Sequence, residues 1–132
     1  MTQALLVRRK AVLAYRNLHL LSDSRDSSQR DLIEMLLDGL AASLASARHA
    51  VTIGDAVKKS EGILRANRIL AGLAQALDPT VYPALVEELG AIYRYMLRQL
   101  SRTHVGNAGP LLDELLGLAQ TLRNAFRPKQ AF

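Results

Sequence analysis

The chain has no cysteine and no tryptophan, and only 5 % of its residues are aromatic. Without cysteine there are no disulfides, no thiolate catalysis and no sulfur-ligated metal, and a reducing compartment is permitted. With few aromatics, the core must come mainly from Leu, Ala, Ile and Val. A Leu/Ala-rich composition favours helix, where these side chains lose little rotamer freedom. No apolar run approaches the roughly 18 residues needed to cross a bilayer, so membrane insertion is not expected. The N-terminus places Arg8-Arg9-Lys10 after the apolar stretch from Met1 to Leu6. That order is the reverse of a secretion signal, and no small-residue cleavage site follows, which predicts a cytoplasmic protein.

What is present is apolar and periodic. Residues of hydrophobic type make up 49 % of the 132. The length fits one domain over 1–132, since domains commonly run about 100–150 residues. Five segments carry helical spacing. The first, over 1–21, has Leu5, Val12, Tyr15 and Leu18, interrupted by its basic triplet, and the polar run from Ser22 to Ser27 ends it. The second opens at Ser28, where Ser28 to Asp31 resembles a capping box. It continues through Ile33, Leu37, Leu40, Leu44, Ala47 and Val51 at alternating spacings of four and three. Gly54-Asp55 breaks it and offers a cap to the third, Ala56 to Leu77, striped by Ile63, Ala66, Leu70, Leu73 and Leu77. Asp78-Pro79 stops that segment. Pro83 suits the first turn of the fourth, striped by Leu85, Leu89, Ile92, Met96 and Leu100. Gly106 to Gly109 ends it, and Pro110 begins the fifth, with Leu112, Leu115, Ala119, Leu122 and Phe126. The short links after residue 50 force antiparallel neighbours. The expectation is an all-α protein: an elongated antiparallel up-down four-helix bundle over 28–127, with an additional N-terminal helix.

Catalytic chemistry is missing from this pattern. His19, His49 and His104 have no second His or Glu at the spacing that puts two ligands on one helix face. Glu87 and Glu88 are adjacent, so on a helix they point about 100° apart; they read better as first-turn carboxylates favouring the helix dipole. Gly54, Gly62, Gly72, Gly90 and Gly117 are isolated, which excludes a glycine-rich phosphate loop and a nucleophile elbow. No cofactor, no metal and no enzymatic activity are expected. The net charge of +5 leaves one rival. Arg94, Arg98 and Arg102 recur every four residues and would serve a helical nucleic-acid-binding module through phosphate contacts. Distributed acidic residues and the lack of interleaved aromatics for base stacking disfavour it.

The second segment exceeds what a bundle helix needs. Beside its main stripe, Leu32, Leu36, Gly39, Ser43 and Ala50 form a second apolar or small face, and Leu64 and Ile69 stand outside the main seam of the third. A stripe wider than about 100° marks either a central helix or a groove kept for a partner helix.

Several stretches, in order, resemble the flagellar secretion chaperone family FliS. They are Ala14-Tyr15; Leu32-Ile-Glu-Met35-Leu-Leu-Asp38-Gly39; Ala66-Asn-Arg-Ile69-Leu-Ala-Gly-Leu73 with Leu77-Asp78; Ile92-Tyr93-Arg-Tyr95-Met96; and Leu122-Arg123-Asn-Ala125-Phe126. The chain departs from the family pattern at Gln29 (Pro), Leu37 (Tyr), Tyr82-Pro83 (Gly-Gly) and Phe126 (Trp). The resemblance implies a monomeric helical chaperone that binds the disordered C-terminal segment of flagellin and prevents premature polymerisation. It implies delivery to the flagellar type III secretion apparatus, with export-gate components as further partners. Partner contacts are then expected at Tyr15, Leu18, Leu32, Met35, Leu36, Ile92 and Tyr93. For the tyrosine-bearing stretch, core packing is the competing expectation.

Overall fold

Local chemistry divides the chain into helices at the points the sequence marks. The structure, a computed structural model, describes residues 27–104 and 106–126, with side chains from Arg30 onward. It holds four helices: α1 over Ser27–Ile53, α2 over Ala56–Gln75, α3 over Pro83–Arg102 and α4 over Ala108–Phe126. No strand occurs among the described residues. At 1.5 Å per residue, α1 is about 40 Å long and the others about 30 Å. The expected N-terminal helix, with Tyr15 and Leu18, lies outside the described residues, as does the side chain of the expected cap at Ser28.

Two residues reverse the chain between α1 and α2. Gly54 takes φ 73°, a left-handed conformation open to glycine without steric cost. Its N–H donates to the Val51 carbonyl at 3.3 Å, and the N–H of Asp55 donates to the Ala50 carbonyl at 2.9 Å. This pair of bonds satisfies the last carbonyls of α1 in a Schellman motif. Asp55 then caps α2, its Oδ1 accepting from the Lys58 N–H at 3.0 Å, a contact worth about 1 kcal/mol.

The other ends depart slightly from the periodic pattern. Helix α2 stops at Gln75, before Leu77, because a residue preceding proline avoids the helical region. Asp78 instead accepts from the Thr80 hydroxyl at 2.6 Å and the Thr80 N–H at 2.8 Å, and these bonds hold its carboxyl below the usual range. Helix α3 starts at Pro83 as expected, but Glu87 and Glu88 sit beyond its first turn, which contains no acidic residue. The first-turn role expected for them is therefore corrected. Helix α4 begins at Ala108, two residues before the expected Pro110. Gly106 at φ 135° and Asn107 at φ 52° make the turn, and the Leu111 N–H donates to the Asn107 carbonyl at 3.2 Å. Pro110 lies within the first turn, where its missing N–H breaks no helical bond.

The helices form a ring: α1 packs on α2 and α4, and α3 closes the ring against both. Contacts run antiparallel throughout. Along α1/α2, Gly72 lies beside Leu36, Gly39 beside Ile69 and Gly62 beside Ala47. Between α1 and α4, Arg48 pairs with Asp113 at 2.8 Å and Asp38 with Arg123 at 3.8 Å. Lys59 donates to the Thr103 carbonyl at 3.0 Å, placing a cation at the negative end of α3. Inside the ring, Leu40, Leu44, Leu70, Ile92, Met96 and Phe126 are almost wholly buried. Leu37 and Phe126, two of the departures from the family pattern, are each 1 % exposed and so alter core packing.

The small face of the second segment is where α2 approaches α1 most closely. A Cβ built on Gly62 would stand 2.9 Å from both the Ala47 Cβ and the Ser43 carbonyl oxygen. Backbone cannot yield as a flexible side chain does. Gly62→Ala is therefore expected to destabilise the protein by about 1–3 kcal/mol through overpacking, although alanine is the better helix former. Chemical denaturation checks this, and an unchanged midpoint would show that the two helices separate at no cost.

Candidate partner-binding surface

On the outside of the α1/α2 pair, the boundary toward the start of α1 is apolar. Leu36 packs beside Gly72, with the nearest approach to a built Cβ at 3.7 Å, and Ile69 lies over Gly39 at 3.2 Å. Leu36 and Ile69 are half-buried against the core. Leu32, one turn before Leu36, is 43 % exposed, and Met35 is 62 % exposed. Neighbours three and four apart share a helix face, so these residues form a strip along the α1/α2 boundary. Ile53, Val57, Leu64 and Val81 are also exposed, as single surface apolars often are.

The seven expected contact residues thus separate into three groups. Leu32, Met35 and Leu36 are brought together on one accessible strip. Tyr15 and Leu18 lie outside the described residues. Ile92 and Tyr93, at 0 % and 4 % exposure, are core residues. Tyr93 is walled by α2 and α3 at a narrow cleft of about 190 Å³, with Leu73, Leu77, Val86, Leu89 and Leu97 around it. Burial pushes its phenol pKa upward. The competing expectation for this stretch, packing, describes where both side chains stand. Gly72 completes the strip from the α2 side; the sequence shows its small size but not that α1 leaves an open edge beside it.

Tyr95, in the same stretch, is likewise buried but carries a polar chain from α3 to α4. Its hydroxyl donates to the Glu114 carboxylate, Gln99 Nε2 donates to that hydroxyl at 3.3 Å, and Arg102 Nη1 donates to Gln99 Oε1 at 3.1 Å. Burial, then the Glu114 hydrogen bond and charge, push the Tyr95 phenol up to about 12. The phenol is accordingly neutral at ordinary pH and acts as a donor.

The arginine row is drawn into its own helix. Arg94 folds back over Gly90, Arg98 lies above the Tyr95 ring at 6.0 Å from its centroid, and Arg102 holds Gln99. No group of His, Cys, Asp and Glu suited to a metal ion occurs among the described residues. No helix among them is long and apolar enough to cross a membrane.

Comparison with known proteins gives the family of this chain. The family model of the flagellar protein FliS matches residues 11–130. The chain is 31 % identical to the flagellar secretion chaperone FliS of Salmonella typhimurium over 92 % of this chain and 93 % of that one. It is 29 % identical to the flagellar secretion chaperone FliSB of Pseudomonas aeruginosa, over 89 % of this chain and 93 % of the relative. With the FliS of Bacillus subtilis it shares 28 % identity over 74 % of this chain and 71 % of the other. The family model spans α1 to α4 together with the Leu32–Gly39 stretch that forms the exposed strip, and the chain belongs to the flagellar protein FliS family.

Proposed function

We propose that this chain is a cytoplasmic, monomeric export chaperone for flagellin. It binds the disordered C-terminal segment of flagellin, keeps it from polymerising prematurely and delivers it to the flagellar type III secretion apparatus. The observation that carries this reading is the exposure of Leu32 and Met35 beside Leu36 and Ile69, in a chain of this family. An amphipathic helix laid along that strip buries its apolar face there, as in helix-in-groove recognition. Covering that face takes away the surface through which the segment would self-associate. Ordering a disordered segment costs about 2–5 kcal/mol of the interaction energy, which keeps a wrapped complex releasable. Tyr15 and Leu18 belong to the same proposed contact. Ile92 and Tyr93 support it from within, by setting how α3 packs.

Calorimetry against the C-terminal segment of the host's own flagellin tests the proposal. Binding with a negative heat-capacity change is the expected result, because apolar area leaves water. Absence of binding to that segment would overturn it.

A further inference from the structure

The outer α1/α2 boundary continues past the apolar strip toward the Gly54 hairpin, and there it opens into a channel of different character. Gly62 brings the helices together, so the floor is made of small residues, Ser46, Ala50 and Gly62 itself. The walls carry His49, Lys58 and Arg65, around an open space of about 480 Å³. Among the described residues no carboxylate forms an ion pair with Lys58 or Arg65, although Glu61 shares the channel. Elsewhere Arg48 and Arg123 are paired across α1/α4, and Arg98 and Arg102 engage Tyr95 and Gln99. Lys58 and Arg65 are thus two cations without an ion pair on one wall of an open channel, with Glu61 between them in sequence.

We propose that this channel beside the hairpin binds an acidic stretch of the same polypeptide whose apolar face occupies the Leu32/Met35 strip. The inference rests on the chaperone reading for its occupant and adds that occupant's chemistry and orientation. Charge complementarity selects carboxylates, and unpaired cations beside a hydrophobic strip steer a segment into one of its two directions. The step from the Leu36/Gly72 level to the Ala47/Gly62 level is eleven residues of α1, or about 16 Å. A bound helix must then carry Asp or Glu roughly three turns from its apolar anchors.

The test uses the full chain and the double variant Lys58→Glu/Arg65→Glu; both side chains are exposed, so the fold is not at stake. Two probes are titrated: the C-terminal segment of the host's flagellin, by calorimetry at low and moderate salt, and a synthetic decapeptide of glutamates, by amide chemical shifts. The expected result is a rise of about tenfold in Kd for the flagellin segment and loss of its salt dependence in the variant. The glutamate peptide is expected to shift the amides of Ser46, His49, Lys58, Gly62 and Arg65 in the parent chain only. An unchanged Kd in the variant overturns the inference while leaving the chaperone reading intact. If the parent chain fails to bind the flagellin segment, the chaperone reading falls. In that case the glutamate peptide decides alone, and shifts spread over the surface or centred on Arg94 overturn the acidic-stretch proposal.

Discussion

Ile92→Ala is expected to lower the stability of the bundle by about 2–5 kcal/mol, the range for truncating a large buried aliphatic side chain. Ile92 is fully buried, on the inner face of α3 in a core shared with α1, α2 and α4. The loss combines the transfer energy of the deleted methyl and methylene groups with the cavity they leave, because a close-packed interior relaxes only in part. For a chain of this size the melting temperature should fall by roughly 10 °C. Thermal and denaturant unfolding measure it directly. The consequence for function is indirect: at a temperature where the variant remains folded, partner affinity should change little. A variant with parental stability but no affinity would instead make Ile92 a contact residue, against its burial.

Leu32→Asp/Met35→Asp should show the opposite pattern. Both side chains are exposed, so stability should stay within about 0.5 kcal/mol per substitution. Binding of the flagellin segment should weaken by a hundredfold or more, an estimate of roughly 3 kcal/mol or above. Each apolar side chain covered by a partner is worth about 1.5–3 kcal/mol, and an unpaired carboxylate pressed into the interface adds a desolvation cost. Parallel calorimetry and thermal denaturation separate the two quantities. Retained affinity would remove the α1/α2 strip from the proposed site.

The same contrast shows how far residue patterns reach. The stripe of Ile33, Leu37, Leu40, Leu44, Ala47 and Val51 predicts the inner face of α1; the first five are buried, and Val51 packs half-buried against the same core. The small face with Gly39 and Ser43 lies where α2 comes close to α1. Whether the extra width of α1 meant a central helix or an open groove was left undecided by periodicity. The ring arrangement puts α1 at a corner, covered by α2 and α4, with Leu32 and Met35 past the edge of the cover. Tyr93 and Met35 both belong to motif-like stretches, yet one is sealed in the core and the other faces water. Helical spacing separates them where motif membership does not: Tyr93 stands three and four residues from Met96 and Leu89 of its stripe, and Met35 falls off the Ile33/Leu37/Leu40 stripe. The unpaired cations Lys58 and Arg65 were hidden, because the channel they wall is formed by two helices.

The four described helices and the turns between them were determined by the sequence alone, although α2 stops before Leu77 and α4 begins before Pro110. Gly54-Asp55, Asp78-Pro79 and Pro83 act through their own backbone preferences and nearest hydrogen bonds, and these operate before any tertiary contact forms. Only the tertiary structure decided which apolar side chains are surplus to the core. A helical period of 3.6 residues specifies a direction around one axis, whereas exposure depends on how closely the adjacent axis approaches. Here Gly62 marks the close approach of α2 to α1 at the Ala47 level, while Leu32 and Met35 stay exposed toward the other end of α1.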